Sequence, residues 1–128
     1  MKLFSAIALG LFVAGCSDAY AFEATQVAVK FTPPATTGTH LTTAEGMTLY
    51  TFARDEPHLS HCYDNCARTW QPYQVDFNAE VDGLTIIMRH DGIAQWAKDG
   101  APLYLWAGDV VPGQKTGDGI AGLWRIAE

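Results

Sequence analysis

One ten-residue stretch occurs twice in this chain, at Gly46 to Asp55 (GMTLYTFARD) and at Gly100 to Asp109 (GAPLYLWAGD), and both copies read G-x-x-L-Y-x-(F/W)-x-x-D. The two glycines stand at 46 and 100, an offset of 54, and the same offset sets Ala67 over Ala121 and Trp70 over Trp124 without a gap. The repeat positions are therefore Gly46, Leu49, Tyr50, Phe52, Asp55 and Trp70 in one copy and Gly100, Leu103, Tyr104, Trp106, Asp109 and Trp124 in the other, within repeats of about 40–73 and 94–127. A fixed internal period means that each copy is one unit burying its apolar face against the other. Tyr50 and Tyr104 are expected at matching, buried places in two similar halves.

Side chains alternate across a strand. Over Met47 to Ala53 one face shows Met47, Leu49 and Thr51 and the other Thr48, Tyr50 and Phe52; over Ala101 to Ala107 the faces are Leu103 with Leu105 and Tyr104 with Trp106. Two apolar faces suit a strand covered on both sides, so these strands are expected at the centre of a sheet, between an aliphatic and an aromatic layer. The aromatic face is either plain core, the favoured reading, or a partly open ligand surface.

Turn signals carry the rest of the chain. Thr25 to Thr32 alternates as a strand, Pro33-Pro34 ends it, and Ala35 to Thr39 reads as a polar loop. His40 to Thr43 and Met47 to Ala53 flank a glycine-containing turn of hairpin length. Cys62 to Trp70 is expected as a helical turn capped by Asp64 or Asn65 and stopped by Pro72. Val75 to Asp82 alternates, and Asp82-Gly83, Asp91-Gly92 and Asp99-Gly100 then punctuate Leu84 to His90, Ile93 to Lys98 and Ala101 to Ala107. Asp-Gly between alternating runs favours a type I′ hairpin, so three in succession predict an antiparallel meander. No dozen-residue window shows helical periodicity, so the expected class is all-β, hairpins in two pseudo-repeated halves with one short helical turn near the cysteine pair.

The N-terminus reads as an address. Lys2 is followed by an apolar run, Leu3 to Val13, of signal-peptide length. Val13 to Cys16 resembles a lipobox, which would make Cys16 a lipidated N-terminus; Ala19-Tyr20-Ala21 is a competing cleavage site that would leave Phe22 first. The lipobox is preferred, because small Ala14 and Gly15 precede the cysteine. Residues 1–21 are thus signal and tether, and 22–128 one two-repeat β domain in the cell envelope or periplasm. Both cleavages remove Cys16 from thiol chemistry, so Cys62 and Cys66 are expected as a structural disulfide in an oxidising compartment. Helical residues four apart sit about 6 Å apart, within bonding range.

The residues now carry a resemblance. The two motifs, Ser60-His61-Cys62 with Cys66-Ala67 and Trp70, and then Asp91-Gly92, Gln95-Trp96 and Pro102-Leu103-Tyr104, resemble a secreted repeat family of predicted bacterial lipoproteins with a Y-x-(F/W/Y)-x-x-D motif. The resemblance implies an extracytoplasmic, often lipid-anchored two-repeat domain. Where that family has glycine midway between the cysteines and Trp-Pro-Pro after them, this chain has Asp64 and Trp70-Gln71-Pro72.

Chemistry is sparse. A net charge of −6 and a pI near 5.0 disfavour nucleic acid as a partner. No serine lies in a nucleophile elbow, and no phosphate loop, haem motif or zinc ribbon is present, so neither a catalytic residue nor a cofactor is expected. Asp55 and Asp109 are either a carboxylate pair or, as favoured, acceptors in Asx turns. His58, His61, Cys62 and Cys66 could form a copper or zinc site if the thiols were free, whereas His40 and His90 are isolated. The preferred expectation is a lipid-anchored, non-catalytic binding or structural module facing an envelope protein or small ligand. The alternative is a periplasmic metal or redox protein built on the Cys62/Cys66 loop.

Overall fold

The computed structural model describes residues 32–128. The signal and lipobox readings, with Cys16, and the strand expected over 25–31 lie outside that span.

The described chain is mostly antiparallel strand in three sheets with one short α-helix. A two-stranded hairpin pairs β1 (Ala35–Thr37) with β2 (His40–Thr42). The largest sheet has the order β4-β8-β3-β9, from β3 (Leu49–Phe52), β4 (Trp70–Pro72), β8 (Tyr104–Trp106) and β9 (Trp124–Ile126). A three-stranded meander runs β5 (Leu84–Met88), β6 (Ala94–Lys98), β7 (Ala101–Pro102). Helix α1 (Asn65–Thr69) precedes β4, and a 3₁₀ turn, Ile120–Gly122, precedes β9.

The large sheet makes the repeat visible. At the offset of 54, β8 is the counterpart of β3 and β9 that of β4. The two motif strands are the central pair, with Tyr50 opposite Tyr104, and each repeat's closing strand flanks the other repeat's motif strand: Phe52 faces Trp124 while Trp70 faces Trp106. The sheet is therefore an exchange between halves, with neither half able to complete it alone.

Each central strand has two buried faces, as its sequence requires. Leu49 and Leu103 enter an aliphatic core with Leu41, Val75, Trp96 and Ala127, whereas Tyr50 and Tyr104 enter an aromatic core with Cys62, Trp70 and Trp124. Both tyrosines are 0% exposed. Trp70 and Trp124 stack at 3.8 Å and 4°, with each motif tyrosine edge-on to its own repeat's tryptophan at 5.4 and 5.2 Å. Pairs of this kind contribute about 0.5–1.5 kcal/mol each beyond burial.

Several expectations need correction. Ala35 to Thr39 is not a loop; its threonines form β1, which turns back through Gly38 at φ 66. Val75 to Asp82 alternates but forms no strand, because Asp76 accepts the Asn78 and Ala79 N–H groups in a turn. The run from Ala101 divides at Leu103, with β7 on the meander and β8 in the large sheet. The helical turn ends at Thr69, and Trp70–Pro72 is a strand held by Trp106, Leu105 and Tyr104. Only Asp99-Gly100 has two positive φ values, 50 and 80, as a type I′ turn demands; at 83 and 92 the glycine alone is left-handed.

Candidate functional site

The two motif tyrosines leave the centre of the sheet and reach carboxylates at its ends. Tyr50 Oη donates to Asp109 Oδ2 at 2.6 Å, and Tyr104 Oη donates to Asp55 Oδ2 at 2.6 Å. Each repeat's tyrosine is thus bonded to the other repeat's aspartate. The second oxygen of each carboxylate fastens the following loop: Asp55 Oδ1 accepts the His61 N–H at 2.7 Å, and Asp109 Oδ1 accepts the Thr116 N–H at 2.9 Å. Neither aspartate makes the local Asx turn expected of it. The acceptor role holds, but the partners lie six and seven residues on. That one-residue difference also shows that the loops between motif and tryptophan are not in strict register.

Burial raises the pKa of both tyrosines well above the ordinary phenol value, and the hydrogen bond to a carboxylate raises each further. Asp55 is also held above the usual carboxyl range by burial, against the opposing hydrogen bonds from Tyr104 and the His61 N–H. The tyrosines and Asp109 are buried and Asp55 is half-buried, and all four are committed to one another, so the motif works as a clamp between halves.

The clamp is finished differently at its two ends. At the Tyr104 end Ser60 Oγ lies 2.7 Å from Tyr104 Oη and accepts from Arg89 Nη1 at 2.8 Å. Arg89 is buried, and its guanidinium also donates to Gln95 Oε1, the Cys62 carbonyl and Asp91, with Tyr63 packed at 4.4 Å. Burial alone would raise the Asp91 carboxyl, but the hydrogen bonds from Arg89 and the Ile93 N–H hold it below the ordinary range. At the Tyr50 end the Gly117 N–H donates to Tyr50 Oη at 3.2 Å, and a Cβ on Gly117 would lie 2.8 Å from Trp70 and 2.9 Å from Tyr50. Glycine is needed there for the close approach. Arg89 and Gly117 were not singled out from the sequence, and Gln95 was named only among the residues that carry the resemblance. Asp91 two residues after Arg89 was the only local hint of a paired arginine.

Outside the clamp, two shallow grooves flank the exchange. One, of ≈190 Å³, lies between Phe52, Asp55 and the Gly100–Pro102 turn; the other, of ≈290 Å³, lies between Trp106, Asp109 and Met47. They are counterparts at the repeat offset. Phe52 and Trp106 are the half-exposed members of an otherwise buried aromatic face.

Cys62 and Cys66 are joined in a disulfide with Cα atoms 5.2 Å apart. Cys62 is fully buried, while His58 and His61 are exposed; His61 Nε2 lies 3.0 Å from Glu56 Oε2, and the His58 N–H donates to the Gly100 carbonyl. Among the described residues no three His, Cys, Asp or Glu side chains lie placed to hold a metal, so the four ligands of the alternative reading are not gathered into a site. The helix after Cys62 forms without a side-chain cap: Asp64 at its start has φ 54 and ψ −120 and makes no capping bond. Those angles belong to the first central position of a type II′ turn, which glycine favours. The aspartate departs from the resembled pattern at the one place in the ring where its Cβ is a liability.

A family profile described as a secreted repeat of unknown function matches residues 34–74 and again 85–128. The matched segments take in the β1–β2 and β5–β6 hairpins along with the motif strands. No curated protein and no solved structure matches the chain.

Proposed function

Since the chain belongs to the family of secreted repeats, and so works outside the cytoplasm, we propose that it is a non-catalytic binding module, tethered to the envelope by a lipid on Cys16. The reading is carried by the use to which the repeat motif is put. Its tyrosines and aspartates close on each other across the halves in pairs of 2.6 Å. Groups spent in this way build a rigid body, and the grooves beside them are left to meet a partner. The small residues before Cys16 support the tether, which would hold that body at a membrane surface.

Intact mass of the protein extracted from the envelope, with a thiol count and metal analysis, tests this. The expected species begins at Cys16 with a diacylglycerol, has no free thiol and holds no stoichiometric metal, and Cys16→Ala releases the protein in soluble form. A soluble wild type beginning at Phe22 contradicts the tether. Copper or zinc retained stoichiometrically by the reduced protein, and lost in His58→Ala or His61→Ala, replaces the binding module with a metal protein.

A further inference from the structure

An open groove of ≈470 Å³ lies where the start of the first repeat meets the end of the second, lined by Thr39, His40, Lys115, Asp118, Arg125 and Glu128 among others. Two cations and two carboxylates share it. Among the described residues neither Lys115 nor Arg125 forms a salt bridge with either carboxylate. Asp118 instead accepts the Ile126 N–H at 3.3 Å. Opposite charges that line one cavity without closing on each other leave it bipolar, suited to a guest of both signs.

The repeat supplies an internal control. At the offset of 54, which the closing strands keep, Arg125 and Glu128 stand over the uncharged Gln71 and Gln74. Clamp positions keep their residue class in both copies, so the shared fold demands aromatic and carboxylate groups there. It makes no such demand for Arg125 or Glu128, which makes their charges a property of this groove.

We propose that the groove binds a small zwitterion, its phosphate or carboxylate held by Lys115 and Arg125 and its primary ammonium facing Asp118 and Glu128. Arginine gives a planar fork for the anion, and the volume falls in the range of roughly 300–1,000 Å³ usual for small-molecule clefts. Phosphoethanolamine has this chemistry, both as a free solute and as a lipid headgroup. The inference rests on the binding-module reading. Its failure would leave the tether, thiol and metal results untouched, so the two fail separately.

The test is an amide-resolved NMR titration of the full chain carrying Cys16→Ala, with O-phosphoethanolamine, inorganic phosphate and ethylamine as separate probes. The expected result is saturable shifts confined to residues near 39–40, 115–118 and 125–128, with phosphate and ethylamine each at least ~10-fold weaker. Arg125→Gln, which installs the residue of the other repeat, is expected to weaken phosphoethanolamine ~10-fold or more at unchanged Tm, and Glu128→Gln to weaken it too. Competition by phosphatidylethanolamine vesicles, and not by phosphatidylcholine vesicles, supports the site with a lipid as its source. Binding of the soluble probe without vesicle competition supports it with a free solute as its source. Absence of saturable shifts, or phosphate binding as tightly as phosphoethanolamine, overturns the proposal.

Discussion

The two repeats are alike where they touch each other and unlike where each closes its own loop. Tyr50 and Tyr104 face one another in the sheet, and each is bonded at 2.6 Å to the other half's aspartate. Beyond the aspartates, the first repeat's loop has a disulfide and a helix and receives the buried Arg89 from the second matched segment, whereas the second uses Gly117, Thr116 and a 3₁₀ turn. The difference teaches that the motif encodes the joint between halves, while the connecting segments need only deliver a tryptophan to the right edge of the sheet.

The sharpest way to break this comparison is to truncate the joint. Tyr50→Ala and Tyr104→Ala each remove a fully buried aromatic and a charged hydrogen bond, and each is expected to lose about 3–5 kcal/mol in chemical denaturation. Losses of similar size in the two variants support equivalence of the halves. A variant that keeps wild-type stability would show that one half does not depend on the joint.

The asymmetric part predicts an asymmetric cost. Arg89→Ala leaves Ser60, Gln95 and the Cys62 carbonyl short of a donor at one end only, a loss of about 3 kcal/mol. In the same variant amide protection around Gly117 should stay as in the wild type. Spread of the damage to that end would mean that the loops are coupled.

Both tyrosines titrate above their ordinary value of 10.0 in the folded state. Their contribution is complete below pH 10 and is lost as pH rises from there toward the folded values, because only the unfolded chain gives up its protons. The expected slope is about 1.4 kcal/mol per pH unit for each tyrosine. Tyr73 is raised as well, by burial, and adds to the slope; Tyr50→Phe and Tyr104→Phe should each remove one tyrosine's share, and unequal effects would distinguish the ends.

The smallest expected effect lies in the disulfide ring. Asp64→Gly relieves a backbone at φ 54 and ψ −120 and should stabilise the protein by about 1 kcal/mol, less what glycine adds to unfolded-chain freedom. No gain in the denaturation midpoint would mean that the ring tolerates a Cβ there.

Much of the joint was legible in the chain itself. The repeat period, the two-sided apolar strands and the cysteine spacing led to two central strands, the aliphatic and aromatic layers and the disulfide, though not to the pairing of those strands with each other. What stayed hidden was pairing at long range. Nothing local in Tyr50 or Asp109 says that they meet across 59 residues, and an arginine such as Arg89 looks like any surface cation until five acceptor atoms surround it. The errors were local also: Thr36 and Thr37 took strand geometry by pairing with Leu41 and His40 in a hairpin, and the alternation at 75–82 lost to the Asp76 turn.

The central claim is that each motif tyrosine serves the opposite repeat, and a pair of double-mutant cycles tests it most directly. Tyr50→Phe combined with Asp109→Ala, and Tyr104→Phe combined with Asp55→Ala, are expected to show coupling of about 1.5–3 kcal/mol each in equilibrium unfolding. The within-repeat combinations, Tyr50→Phe with Asp55→Ala and Tyr104→Phe with Asp109→Ala, should be additive to within about 0.5 kcal/mol. Coupling that is larger within a repeat than between repeats would contradict the exchange.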